Sequence, residues 1–237
     1  MKLDENTEGI ILEFLKSTYE KRMKDNEVSF GERILNSLTM QLVPIANSDE
    51  LLVDIPYRKI GDMALVYTAA ISVGRTLIGR AVITNDLMKK LGLDLEELHW
   101  IAKIKSPINM PPKVQFLESM VLNQRTSGSC PVLVVSSVKA ENGAAVLMYP
   151  GIMEQCANIL NGNYYVLPSS VNEMILYSSG GEVTLNSLKK IVQRTGLLSK
   201  DQATFLSDKI YHYDWNTKKL ELADDYEKRL AGKKSYE

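Results

Sequence analysis

The residue types of a hydrolytic centre fall in two short stretches of this chain. Ser169, Ser170 and Glu173 belong to Leu167-Pro168-Ser169-Ser170-Val171-Asn172-Glu173, and His212 and Asp214 belong to Tyr211-His212-Tyr213-Asp214-Trp215. A serine hydroxyl becomes a nucleophile when a histidine takes its proton and a carboxylate orients that histidine. These five are the candidate catalytic residues of a Ser/His/Asp-Glu hydrolase. Their spacing speaks against them: residues two apart on a strand have Cβ atoms ~6.5–7 Å apart, whereas a carboxylate orients a histidine at ~3 Å.

The same residues read more simply as architecture. In that reading Tyr211, Tyr213 and Trp215 pack on the core while His212 and Asp214 face water. Ser170 and Glu173 have the spacing of a capping box, and Pro168 suits the end of an edge strand. A cluster of small polar groups after an apolar strand can also hold a ligand, which makes Asn172 a candidate binding residue. His99, beside Trp100 in a predicted helix, is read as a surface or half-buried histidine with no assigned role.

Other chemistries lack their residues. Neither GxxxxGK[ST] nor GxGxxG occurs, and Gly74-Arg75-Thr76-Leu77-Ile78-Gly79 has too few glycines to cradle a phosphate. With two histidines and with Cys130 and Cys156 far apart, His- and Cys-rich metal sites are not expected. No metal and no cofactor is therefore expected. Lys plus Arg total 28 against 29 for Asp plus Glu, so the global field does not draw a polyanion. Direct binding of nucleic acid would need Arg58, Lys59, Arg75 and Arg80 to converge into one basic patch. Arg58 is the second candidate binding residue.

The elements that position these groups follow from periodicity. Residues 8–24 read as an amphipathic helix, with Ile11, Leu15, Tyr19 and Met23 at successive i+4 positions. A short helix is expected at 31–40 and another apolar element at 51–55 before the helix-stopping Pro56. Residues 63–73 are apolar and uncharged, as a central buried strand would be, and 78–84 follow after a turn. Asn85 and Asp86 are read as N-caps of a helix ended by Gly92, and Asp94 with Glu97 as a capping box for a helix through 104 stopped at Pro107. A helical stretch at 113–123 is expected between two loops.

Asn142-Gly143 is the strongest hairpin signal in the chain and predicts paired strands at 132–138 and 144–149. A helix through 160, strands at 164–167 and 171–177, an amphipathic helix at 184–195, a short helix at 200–206 and a final hairpin over 210–222 complete the pattern. The class is α+β, with antiparallel or mixed sheets and hairpins flanked by amphipathic helices. The expected division is an N-terminal helical segment over 1–40, then subdomains over 41–125 and 126–237, or one continuous domain. The polar, acidic start and the lack of a long apolar run predict no membrane segment and a cytoplasmic protein.

Four stretches together resemble a known family: 51–67 (LLVDIPYRKIGDMALVY), 82–102, 142–177 with its YPG and LPSS motifs, and 206–214 (LSDKIYHYD). The chain is similar over residues 40–222 to the uncharacterised bacterial DUF5688 family, often encoded on integrative and conjugative elements. In that family the position after the LPSS-Val element is usually histidine, and here it is Asn172, an amide that cannot act as a base near neutral pH. The resemblance implies a mobile-element setting and no established reaction. The leading expectation is a non-enzymatic protein that binds another protein, serving a mobile element as a modulator or inhibitor of a host defence in the manner of an anti-CRISPR.

Overall fold

In the computed structural model the described residues are 30–46, 48–73, 76–117, 131–179, 184–195, 201 and 203–234. The helix expected over 8–24, Arg75 and Cys130 lie outside them. The class is α+β. The first sheet is built on β3 (Met63–Val73), which takes β1 (Thr39–Pro44), β2 (Tyr57–Ile60) and β4 (Thr76–Val82) as antiparallel neighbours. Before β1 comes α1 (Phe30–Asn36), and α2 (Asp49–Val53) precedes β2. After β4 come α3 (Asn85–Lys90) and α4 (Leu95–Asn109).

The second sheet is also antiparallel. Its order is β10-β9-β7-β8-β6-β5, from β5 (Pro112–Phe116), β6 (Val132–Ser137), β7 (Tyr164–Ser170), β8 (Glu173–Ser178), β9 (Tyr211–Asp214) and β10 (Lys219–Leu222). A 3-10 helix (Gly143–Met148), α5 (Ile152–Leu160), α6 (Leu185–Thr195) and α7 (Ala223–Lys234) accompany it. One buried apolar cluster runs through both sheets, joining Leu42, Leu65 and Tyr67 to Val135, Leu176 and Tyr213. A second, with Tyr165, Leu167, Ile175, Leu185 and Leu188, lies between the other face of the second sheet and α6.

Several expectations hold in detail. The strand at Met63–Val73, the Asp94–Glu97 capping box, the inward Leu185 and Leu188 and the β9–β10 hairpin are as the sequence predicts. Others are corrected. Thr84 caps α3, its hydroxyl accepting from the Leu87 amide at 3.1 Å, in place of Asn85 or Asp86. Helix α4 runs past Pro107 to Asn109, because the Asn109 side chain anchors the last turn to the carbonyls of Asn36 at 2.8 Å and Leu38 at 2.9 Å. Residues 112–116 form β5 and pair with β6, so the start of the stretch expected to be helical joins the second sheet, and 118–123 lie outside the described residues. At 201–205 the chain makes a turn on Asp201, whose carbonyl accepts from the amides of Thr204 and Phe205.

The predicted hairpin at Asn142-Gly143 does not form. Asn142 is left-handed, at φ 49°, and leads into the 3-10 helix, whose Ala144, Ala145, Val146 and Leu147 are all 0 % exposed. This helix fills the space between β1 of the first sheet and β6 and β8 of the second. A short apolar run buried on every side carries no period that separates strand from helix. Gly143 serves close packing instead: a Cβ there would stand 2.4 Å from the Asn172 carbonyl oxygen and 2.4 Å from the Ser137 nitrogen.

Candidate functional site

The five hydrolytic candidates do not meet. Ser170 and Glu173 pair across the two-residue turn that joins β7 to β8, and Ser169 Oγ donates to Glu173 Oε1 at 3.2 Å. His212 pairs with Tyr165, so four residues of β7, roughly 13 Å, separate it from Ser169. Its imidazole is 0 % exposed, and neither Nδ1 nor Nε2 has a hydrogen-bond partner. His212 and Asp214 are therefore buried rather than turned to water, and Trp215 is the exposed residue of the strand's end, at 40 %. The reason lies above them: α7 covers this side of β9.

Asp214 is a turn-former. Its Oδ1 accepts from the amides of Asn216 at 3.0 Å and Thr217 at 3.3 Å, and its Oδ2 stands 3.5 Å from Arg229 Nη2. Burial raises its carboxyl, but these donors outweigh it and hold the group below the ordinary value. Asn172 is a staple. Its Oδ1 accepts from the Asn142 amide at 3.0 Å, its carbonyl from Ser136 Oγ at 2.8 Å, and its own amide donates to Ser170 Oγ at 3.1 Å. With Val171, whose amide donates to Thr204 and whose carbonyl accepts from Ala144, it pins the β7–β8 turn to the 3-10 helix.

Arg58 is half-buried at the surface of β2. Its guanidinium pairs with Glu96 at the start of α4, at side-chain exposures of 34 % and 69 %. Behind it the buried Tyr67 hydroxyl stands 3.0 Å from His99 Nδ1, with the rings edge to face. Burial, then the Arg58 and Lys103 charges, push His99 down to about 4, so it is neutral at physiological pH. Burial raises the Tyr67 phenol, partly offset by Arg58. Around the rim stand the exposed Tyr57 and the half-buried Trp100, with Lys103 Nζ 5.0 Å from the Trp100 ring centroid. Sequence reading missed His99 and Tyr67, which are 32 residues apart and meet only through the packing of α4 on β3.

Of the four basic residues considered for nucleic acid, Arg75 lies outside the described residues and the other three do not gather. Arg58 is paired with Glu96, and adjacent Lys59 points to the opposite face of β2. Arg80 is turned inward, donating to the Ser37 carbonyl and to Thr68 Oγ1 at 3.1 Å. Among the described residues no group of three or more His, Cys, Asp or Glu could hold a metal, and no helix is long and apolar enough to cross a membrane. Cys156 is a buried free thiol, which burial raises to about 12.

Fold and side chains together define an α+β protein of two antiparallel sheets that share one apolar cluster. The chain belongs to DUF5688, a family of unknown function, whose family model matches residues 2–215. No curated protein and no solved structure matches it.

Proposed function

We propose that this is a non-enzymatic binding protein whose partner is another protein, and that the contact is made by the surface of β2 and α4 around Arg58. The observation that carries this reading is the Arg58–Glu96 pair at the surface, backed by the buried Tyr67–His99 contact and rimmed by Tyr57 and Trp100. Arginine and aromatic side chains on a rigid support are the usual anchors of protein interfaces. β2 is also an edge strand among the described residues, and such edges recruit extended segments. The further placing of that contact in a mobile element, as a modulator or inhibitor of a host defence, belongs to the same proposal and rests on the family resemblance.

The test is affinity capture from a native bacterial host with mass spectrometry, comparing the unaltered chain with Arg58→Glu, Trp100→Ala and, as a remote control, Trp215→Ala. A partner retained by the unaltered chain and the control, and lost with Arg58→Glu and Trp100→Ala, supports the surface. Retention by all four moves the contact elsewhere. Capture of nothing, with turnover of ester or amide substrates abolished by Ser169→Ala, would reverse the reading in favour of a hydrolase.

A further inference from the structure

Helix α7 is fastened by charged and aromatic contacts that converge on one histidine. Among its described side chains only Ala223 is fully buried. Asp224 pairs with Lys189 of α6 at 2.6 Å, and Glu227 accepts from the Tyr165 hydroxyl at 3.3 Å. Arg229 reaches Glu221 at 2.5 Å and Asp214 at 3.5 Å. The Tyr226 ring lies flat on His212, with centroids 3.5 Å apart and planes at 15°, while Tyr165 meets His212 edge-on at 5.3 Å. The family match includes His212 and stops short of α7.

In this setting the imidazole must stay neutral. An imidazolium under Tyr226 would carry two N–H groups with no acceptor in reach, and burying an unpaired charge is costly. The groups facing it are Tyr165 on β7, Asp214 on its own strand, Glu221 on β10, and Tyr226 and Arg229 on α7. The two carboxylates favour the proton, but each is already engaged: Asp214 by turn amides and Arg229, Glu221 by Arg229 and by Lys219 at 2.8 Å. Burial dominates, with Arg229 adding to it, and the group falls from 6.5 to about 4. Lifting α7 would return the ring to water and to its ordinary basicity.

We propose that α7 is an acid-released strap: uptake of a proton by His212 is coupled to undocking of α7 from β9 and β10, which uncovers the Tyr165–His212 face of the second sheet. One proton is linked to the opening. The population of the open form therefore rises by up to about tenfold per pH unit as the pH falls from the free imidazole value toward the docked one.

Hydrogen exchange of the full chain from pH 7.5 to 5, corrected for the intrinsic rate, reads this directly and stays above the range where most carboxylates titrate. Protection of the amides over 223–234 should fall with acid toward tenfold per pH unit below pH 6.5, while β7 and β8, which exchange through global unfolding, stay more protected than α7 at every pH. His212→Phe, which keeps a ring in the stack and removes the proton site, should flatten that slope. Should His212→Phe not fold, Tyr226→Ala serves: it should lower α7 protection at pH 7 while leaving β7 and β8 protected. The proposal is overturned if α7 protection is independent of pH, if α7 is as protected as β7 and β8 at every pH, if His212→Phe keeps the full slope, or if Tyr226→Ala leaves α7 protection unchanged.

Discussion

His99 on α4 and His212 on β9 share one physical condition, an imidazole held neutral mainly by burial, each lowered from 6.5 to about 4. A group depressed in the folded chain takes up its proton on unfolding, so its contribution to stability is complete above pH 6.5 and is lost as the pH falls toward 4. For His99, whose ring is partly open to solvent, screening reduces the loss at pH 4 to about 1–2 kcal/mol. His99→Phe should lower stability at pH 7 by removing the contact with the Tyr67 hydroxyl, and should show a shallower fall between pH 7 and 5 in urea titrations. An equal pH slope in both proteins would refute the assignment. Asn172 offers a second residue-level expectation. Since its Oδ1 accepts one amide, Asn172→Leu should cost about 1–2 kcal/mol. Asn172→His, the type usual in the resembling family, should cost less, because a neutral ring nitrogen also accepts.

At the scale of elements, the 3-10 helix and α4 show packing overruling local signals. Gly143 is required by the close approach of Asn172 and Ser137, so Gly143→Ala should cost about 2–4 kcal/mol through forced displacement in a packed interior. A near-zero change in the urea midpoint would show that the neighbours yield. Asn109 stitches the end of α4 to the chain between α1 and β1. Asn109→Ala should cost about 1–3 kcal/mol, checked by thermal unfolding, with lost protection confined first to the last turn of the helix. Its two carbonyl contacts explain why Pro107 fails to stop α4 where the sequence predicts a stop. Proline removes one helical hydrogen bond near the end, and the anchored asparagine offsets it.

For the whole molecule, the β2–β3 turn is latched onto the second sheet. Gly61 has φ +60°, and a Cβ there would stand 2.4 Å from the Tyr211 hydroxyl. That hydroxyl donates to Asp62, which also accepts from Ser207 Oγ at 3.0 Å and 2.9 Å. With one apolar cluster shared by both sheets, the halves should unfold together. The two tryptophans report on them separately, Trp100 beside the first sheet and Trp215 beside the second. Trp100→Phe and Trp215→Phe variants should give coincident urea transitions by fluorescence and circular dichroism. Separate midpoints would mean two independent units.

The sequence by itself determined the class, the apolar strand β3, the capping box, α5, α6 and the last hairpin, because each depends on side-chain period or on caps a few residues apart. It also placed Glu173, His212 and Asp214 on strands, but it ended the preceding strand at 167, whereas Ser169 and Ser170 belong to β7. Only the tertiary structure decided that these residues stay apart, that Ala144–Leu147 coil inside the core, and that His212 is buried under α7. These outcomes depend on which surfaces cover which. Burial by a distant segment leaves no trace in local spacing, and the partners of His99 and His212 stand 32 residues away in one case and beyond the β9–β10 hairpin in the other.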